Sequence, residues 1–159
     1  MKLWLVLAFA CAVPRPPPVQ HRLPDDLAAR YRGQVVVLDF WASWCKECKD
    51  SVPAVSRLAL TFARDGLVVV GVNAGDEAAE VPGFARELGI DYPVALDPDL
   101  ALSDRLGAAS LPALLVVDRD GTIVHRARRV DPDTIAVVRR LLARDITPRA
   151  HAESGLAAP

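Results

Sequence analysis

Cys45 and Cys48 stand three residues apart, with two residues between them, in the stretch VVVLDFWASWCKECKDSVP (35–53). At that spacing a cysteine pair can staple the chain, hold half of a metal site, or open and close as a redox couple. A staple across four residues stabilises little, roughly 2 kcal/mol against about 3 kcal/mol for a fifteen-residue loop. A metal site needs two further ligands. The three histidines (His21, His125, His151) are scattered without ligand spacing, and the single methionine is Met1. Exchange needs nothing beyond the pair. A strand ending near Trp41 and a helix beginning near Cys45 place that sulfur against unpaired backbone N–H groups and the positive end of the helix dipole, which stabilise a thiolate. Cys48 falls on the same helical face one turn deeper, close enough to attack a mixed disulfide formed at Cys45. The expectation is thiol–disulfide exchange, with the Cys45 sulfur exposed, no metal, and no cofactor other than the pair.

Neighbouring residues tune such a pair. Asp39 lies in an otherwise apolar run, where an unpaired carboxylate is costly and the group holds its proton instead. Six residues before Cys45, it is positioned to pass protons to and from Cys48; the plainer alternative is a strand-end aspartate bonded to nearby backbone. Between the cysteines, Lys46 favours the Cys45 thiolate and Glu47 opposes it, so the net direction is open. Each 1.4 kcal/mol of preference moves a two-electron potential by roughly 30 mV.

The elements that must position these residues are legible in the hydrophobic pattern. Residues 24–31 have helical spacing, and Gly33 ends the run. VVVLDF (35–40) and LVVVGVN (67–73) are continuous apolar runs of the kind found in strands buried on both faces. Between them Val52, Val55, Ala59 and Phe62 form one helical stripe ending near Asp65-Gly66, with Pro53 inside it as an expected kink. Val81, Phe84, Ala85 and Leu88 make a short helix before Gly89. DYPVALD (91–97) is a third strand, and Asp97-Pro98 should open a helix closed by Gly107. ALLVVD (113–118) and TIVHRA (122–127) form an antiparallel hairpin. Asp131-Pro132 start a last helix with Ile135, Val138, Leu141 and Leu142 turned inward. Alternating strands and helices with a closing hairpin predict an α/β sheet covered on both faces.

The 159 residues suit one domain with tails, and a formal net charge of −1 gives no electrostatic case for nucleic acid. The start, MKLWLVLAFACAVPRPPP, differs from the rest. Lys2 and the apolar run Leu3–Ala10 are too short to span a bilayer, which takes about 20 residues, and read as an export signal. Either cleavage follows Ala8-Phe9-Ala10, or LAFAC is a degenerate lipobox with Cys11 as the lipidated residue and a membrane attachment; a loose tail on a cytoplasmic protein is the remaining reading. Residues 1–12 are thus expected to be a signal peptide or lipoprotein signal, 13–23 a Pro-rich linker, 24–144 the folded domain and 145–159 a disordered tail. Export would place the pair where disulfides persist.

FWASWCKEC after a strand, VVVGVN after the motif helix, a helix and strand inserted through GIDYPVALDPD, and SLPALLVVDRDGTIV near the end resemble the TlpA/ResA-like exported proteins of the thioredoxin superfamily. The resemblance covers residues 24–144. It implies a thioredoxin-like α/β fold, a central mixed sheet flanked by helices, with a TlpA/ResA-type helix–strand insert. It also implies that Cys45 is the attacking nucleophile and Cys48 the resolving thiol. Trp44 would shield the sulfurs and shape a docking surface, and Leu111-Pro112 would be a cis-proline loop opposite the disulfide that pairs with extended substrate backbone. The acid at Asp39 matches thioredoxins. Two positions depart from the pattern: Ser51 stands where relatives have glutamate, and Ser110 where they have glycine. The implied activity is exchange with thiol- or disulfide-containing proteins in a bacterial periplasm or cell envelope, in the reducing direction of cytochrome c maturation, served by an envelope electron donor. A thiol peroxidase of the peroxiredoxin kind would use a lone cysteine without WCxxC. A copper-delivery protein would use C-x-x-x-C with a distant histidine, and His125 is the candidate inside the body.

Overall fold

The computed structural model describes residues 19–144. The signal, Cys11 and the tail from 145 lie outside the described residues. Five strands form one sheet: β1 (Val35–Trp41), β2 (Leu67–Ala74), β3 (Val94–Asp97), β4 (Ala113–Val117) and β5 (Ile123–Ala127), in the order β3-β2-β1-β4-β5. β1 pairs parallel with β2 and antiparallel with β4, β2 pairs parallel with β3, and β4 pairs antiparallel with β5. The sheet is mixed, as expected.

Every residue of the central strand β1 is buried, because helices cover both faces of the sheet. Side chains alternate along a strand. Val35 and Val37 join Val55, Leu58 and Phe62 of α2 (Lys46–Phe62) and Val138 and Leu141 of α5 (Pro132–Ala143). Val36, Leu38 and Phe40 face the other way, towards α1 (Asp25–Arg30) and α4 (Ala101–Arg105), where Leu27, Tyr31, Leu102 and Leu106 close the second core. α3 (Val81–Leu88) and β3 make the inserted unit.

Pro53 does not end α2; the helix runs on to Phe62, followed by a 3-10 turn and Gly66 with φ 89°. The third strand starts later than its apolar pattern, at Val94, and the Pro93 carbonyl takes the Gly71 N–H. Asp97 is not the start of a helix at Pro98. Leu100 adopts a left-handed φ of 61°, and α4 begins only at Ala101. Asp97 still caps it from the end of β3, accepting the N–H groups of Leu102 (2.9 Å) and Ser103 (2.8 Å) and the Ser103 hydroxyl (2.6 Å). The residues assigned to a linker up to 23 include a docked stretch. The His21 carbonyl accepts the Ile123 N–H, the Leu23 N–H bonds to the Gly121 carbonyl, and Leu23 is buried. A Pro-rich composition hid that docking.

At α5 the sequence signal is direct. Asp131 is the N-cap, accepting the Thr134 N–H and hydroxyl at 2.7 Å each, with Pro132 at the first helical position. Asp131→Ala should destabilise the fold by about 1 kcal/mol, and up to about 2 kcal/mol if the buried Thr134 hydroxyl is left poorly paired. Urea unfolding would show this as a lower midpoint at unchanged slope.

Candidate active site

The carboxyl ends of β1 and β2 lie side by side, with Trp41 in register with Asn73. The loops leaving them, 42–45 and 75–80, therefore meet at one end of the sheet, and α2 starts there. Cys45 is the N-cap of α2: its backbone is extended, and its Sγ accepts the Cys48 N–H at 3.2 Å. Sulfur occupies the place that a serine or aspartate oxygen usually takes. Cys45 and Cys48 are joined in a disulfide, with their Cα atoms 5.3 Å apart.

Access to the two sulfurs is unequal. Cys48 is 0% exposed and Cys45 only 4%, so the expectation of an open Cys45 is too generous. In the disulfide form the pair sits in an apolar nest with Trp41, Ala42 and Val81, against which Leu111 packs. Trp44 is 66% exposed, while Trp41 is fully buried in the cluster that holds the two cysteines. Lys46 and Glu47 are both exposed on the first turn of α2.

Leu111-Pro112 closes the other side. Its peptide bond is cis, Pro112 is buried, and together with Glu47, Asp50, Ser51 and Arg129 it lines a depression of about 130 Å³. Arg128 holds this loop from the end of β5, donating to the Ser110 hydroxyl (3.1 Å) and the Leu111 carbonyl (2.9 Å). Ser110, a departure from the family pattern, thus has a defined partner. Ser51, the other departure, is buried and donates to the Cys48 carbonyl at 3.1 Å.

A buried acid supports the front of the site. Asp76, after β2, accepts the Ser43 N–H (2.8 Å), the Ser43 hydroxyl (2.8 Å) and the Asn73 amide (2.6 Å). It pins the loop two residues before Cys45. Sequence reading missed Asp76. The signal available was topological: parallel pairing of β1 and β2 puts the residues that follow each strand next to one another.

Asp39 is 2% exposed and shares the α2-covered face of β1 with Val37 and Trp41. Burial pushes its carboxyl up to about 6, against a smaller opposite pull from the Tyr92 hydroxyl, which donates to Oδ2 at 2.6 Å. The aspartate therefore has a specific side-chain partner rather than backbone ones, and nothing in the sequence announced Tyr92. His125 is not near a metal-like cluster; it sits at 3.0 Å from the Thr134 hydroxyl and 3.9 Å from Asp131. Among the described residues no group of three histidine, cysteine or acidic side chains is arranged to hold a metal ion.

Residues 25–126 match the AhpC/TSA family. The chain belongs to the AhpC/TSA family. It is 31% identical over 104 residues to the thiol-disulfide oxidoreductase ResA of Geobacillus thermodenitrificans, covering 65% of this chain and 57% of that protein. It is also 31% identical over 93 residues to ResA of Bacillus subtilis, covering 58% and 52%. The chain thus spans little more than half the length of these curated relatives. Among solved structures, a DsbF homologue from Corynebacterium diphtheriae matches with a TM-score of 0.63 at 29% identity, over 71% of this chain and 75% of that one. The fold is thioredoxin-like, and the α3–β3 unit is its insert.

The buried acid makes stability depend on pH. In the folded oxidised protein Asp39 keeps its proton up to about pH 6, whereas an aspartate in the unfolded chain ionises at about 3.9. Between those values the folded state binds more protons than the unfolded one, so this group lowers stability as pH rises, and the penalty is complete above about pH 6. Asp39→Asn should leave stability near pH 3.5 almost unchanged and raise it at pH 7–8 by about 3 kcal/mol. Urea midpoints of both proteins across that range check it; a gain independent of pH would exclude ionisation as the cause.

Proposed function

We propose that this chain is a protein thiol-disulfide oxidoreductase whose redox group is the Cys45–Cys48 pair, working on partner proteins outside the cytoplasm. The observation that carries the reading is the seat of Cys45: its Sγ lies at the N-cap of α2 and accepts the Cys48 N–H. The same N–H group and the dipole's positive end stabilise the thiolate once the disulfide is reduced. The likeness to ResA and to a DsbF homologue supports the same class of chemistry. The short apolar run Leu3–Ala10 after Lys2 supports export, with Cys11 the candidate for lipid attachment and an envelope protein as electron donor.

In the reducing direction, the Cys45 thiolate attacks one sulfur of a partner disulfide. The Cys45–partner bond forms, the partner's S–S bond breaks, and its second sulfur leaves as a thiolate that takes a proton. Cys48 then gives its proton to the Asp39 carboxylate and attacks Cys45 Sγ. The Cys45–partner bond breaks, the second partner sulfur leaves as a thiolate that takes up a proton, and the Cys45–Cys48 bond closes as a disulfide. The partner gains two electrons and two protons, and the cysteine pair is oxidised by two electrons.

In this reading Trp44 offers an apolar ring for docking, Leu111-Pro112 offers main chain for an extended partner segment, and Lys46 and Glu47 adjust the potential. Cys48→Ser should trap partners covalently on Cys45, and Cys45→Ser should trap none. Equilibration of the wild-type protein with glutathione or dithiothreitol buffers should give a reducing potential, near the about −270 mV of thioredoxins. A value near the about −120 mV of strong oxidants would reverse the direction. Peroxide consumption that survives Cys48→Ser would replace the reading with a peroxidase.

A further inference from the structure

We propose that Tyr92, carried on the insert, is a positioning residue for proton transfer at the cysteine pair: its hydroxyl fixes the Asp39 carboxyl and sets the acidity at which that group accepts the Cys48 proton. The inference deepens the proposed function and rests on the proton role given there to Asp39.

The contact is built from three elements. Asp39 sits at the middle of the sheet on β1, and the position in register with it on β2 is Gly71. A Cβ at Gly71 would lie 3.2 Å from Tyr92 Cε2 and 3.0 Å from Trp41 Nε1. The absent side chain is therefore what admits the tyrosine ring. Directly after Tyr92, the Pro93 carbonyl takes the Gly71 N–H at 2.8 Å, which ties the insert to the same strand position. The ring is buried, and its hydroxyl reaches Asp39 Oδ2 at 2.6 Å across 53 residues of sequence.

The chemistry follows from the direction of the bond. Tyr92 donates, so it stabilises the charged carboxylate against the desolvation that favours the acid. Burial first, and then the Asp39 charge and hydrogen bond and the charge of Asp91, push the Tyr92 phenol up, so the hydroxyl stays a donor at every ordinary pH. No other hydrogen bond reaches the Asp39 carboxyl among the described residues, which leaves Oδ1 to carry the proton. The groups around it are few. β2 and β4 present Gly71 and Leu114 in register with Asp39. α5 presents Val138 and Leu141 to this core, and α2 brings Cys48 to the same face beside Trp41. Trp41 Nε1, buried and without a hydrogen-bond partner, is the remaining donor there. Tyr92 is the titratable group that bears on Asp39 in the disulfide form, Asp91 bears on Tyr92 in turn, and Cys48 can join them only when the disulfide is reduced.

The test has two readouts. The first is the titration of the Asp39 carboxyl in the oxidised full chain, followed by carbon NMR with labelled aspartate. The second is the pH profile of the step in which Cys48 releases a mixed disulfide, measured with a small aromatic disulfide as partner. Tyr92→Phe keeps the ring and removes the donor. It should move the carboxyl midpoint up from about 6 by about one unit or more, and the pH profile should move with it. Replacing both tyrosines with 3-fluorotyrosine makes a stronger donor and should move both midpoints down; Tyr31→Phe in that background assigns the effect to Tyr92. This second perturbation also serves if the phenylalanine variant does not fold. Unchanged carboxyl midpoints, with an Asp39→Asn effect on release intact, overturn the role of Tyr92 alone. A release profile that Asp39→Asn does not alter overturns the proton role of Asp39, and the inference with it.

Discussion

The start of α2 is the constraint on which the rest of the site depends. A helix begins with backbone N–H groups that need acceptors, and here one acceptor is a cysteine sulfur. The helix cap and the disulfide thus use the same atom. To keep that sulfur at the cap, the loop before it has to be fixed, and Asp76 does so through Ser43. On the far side Arg128 fixes the loop of Ser110 and Leu111. The two clamps reach from opposite parts of the chain, so the geometry around the disulfide is a property of the whole sheet end.

Much of this was legible in the sequence where the information is local. Apolar runs at 35–40 and 67–73 gave the central strands, and the stripe through Val52, Val55 and Phe62 gave the helix that carries the cysteines. Asp131-Pro132 announced the last helix. What escaped was long-range and polar. Tyr92 and Asp39 are 53 residues apart, Ser43 and Asp76 are 33 apart, and Ser110 and Arg128 are 18 apart. No period links such pairs; only the strand order brings them together. Trp44 and Trp41 show the same limit. Two tryptophans three residues apart look alike in sequence, yet strand alternation turns one into the core while the other stands past the strand end in solvent.

Burying Asp39 works against stability above the pH at which it ionises, and the fold tolerates it. The surrounding strands supply no charge to offset the burial; a single phenol does part of that. A group kept in such a place is near the point where a small change in its surroundings alters its protonation.

β5 is the last strand of the sheet, and its outer edge would offer free N–H and C=O groups to another molecule. The short docked stretch before α1 covers the beginning of that edge: His21 accepts the Ile123 N–H, Arg22 bridges to Thr122, and Leu23 fills the hydrophobic space beneath. Residues 20–23 therefore serve as a guard against strand-to-strand association. A recombinant form trimmed to begin at Pro24 would keep every redox residue and still expose a sticky border, and its light scattering would rise with concentration where that of the longer form would not.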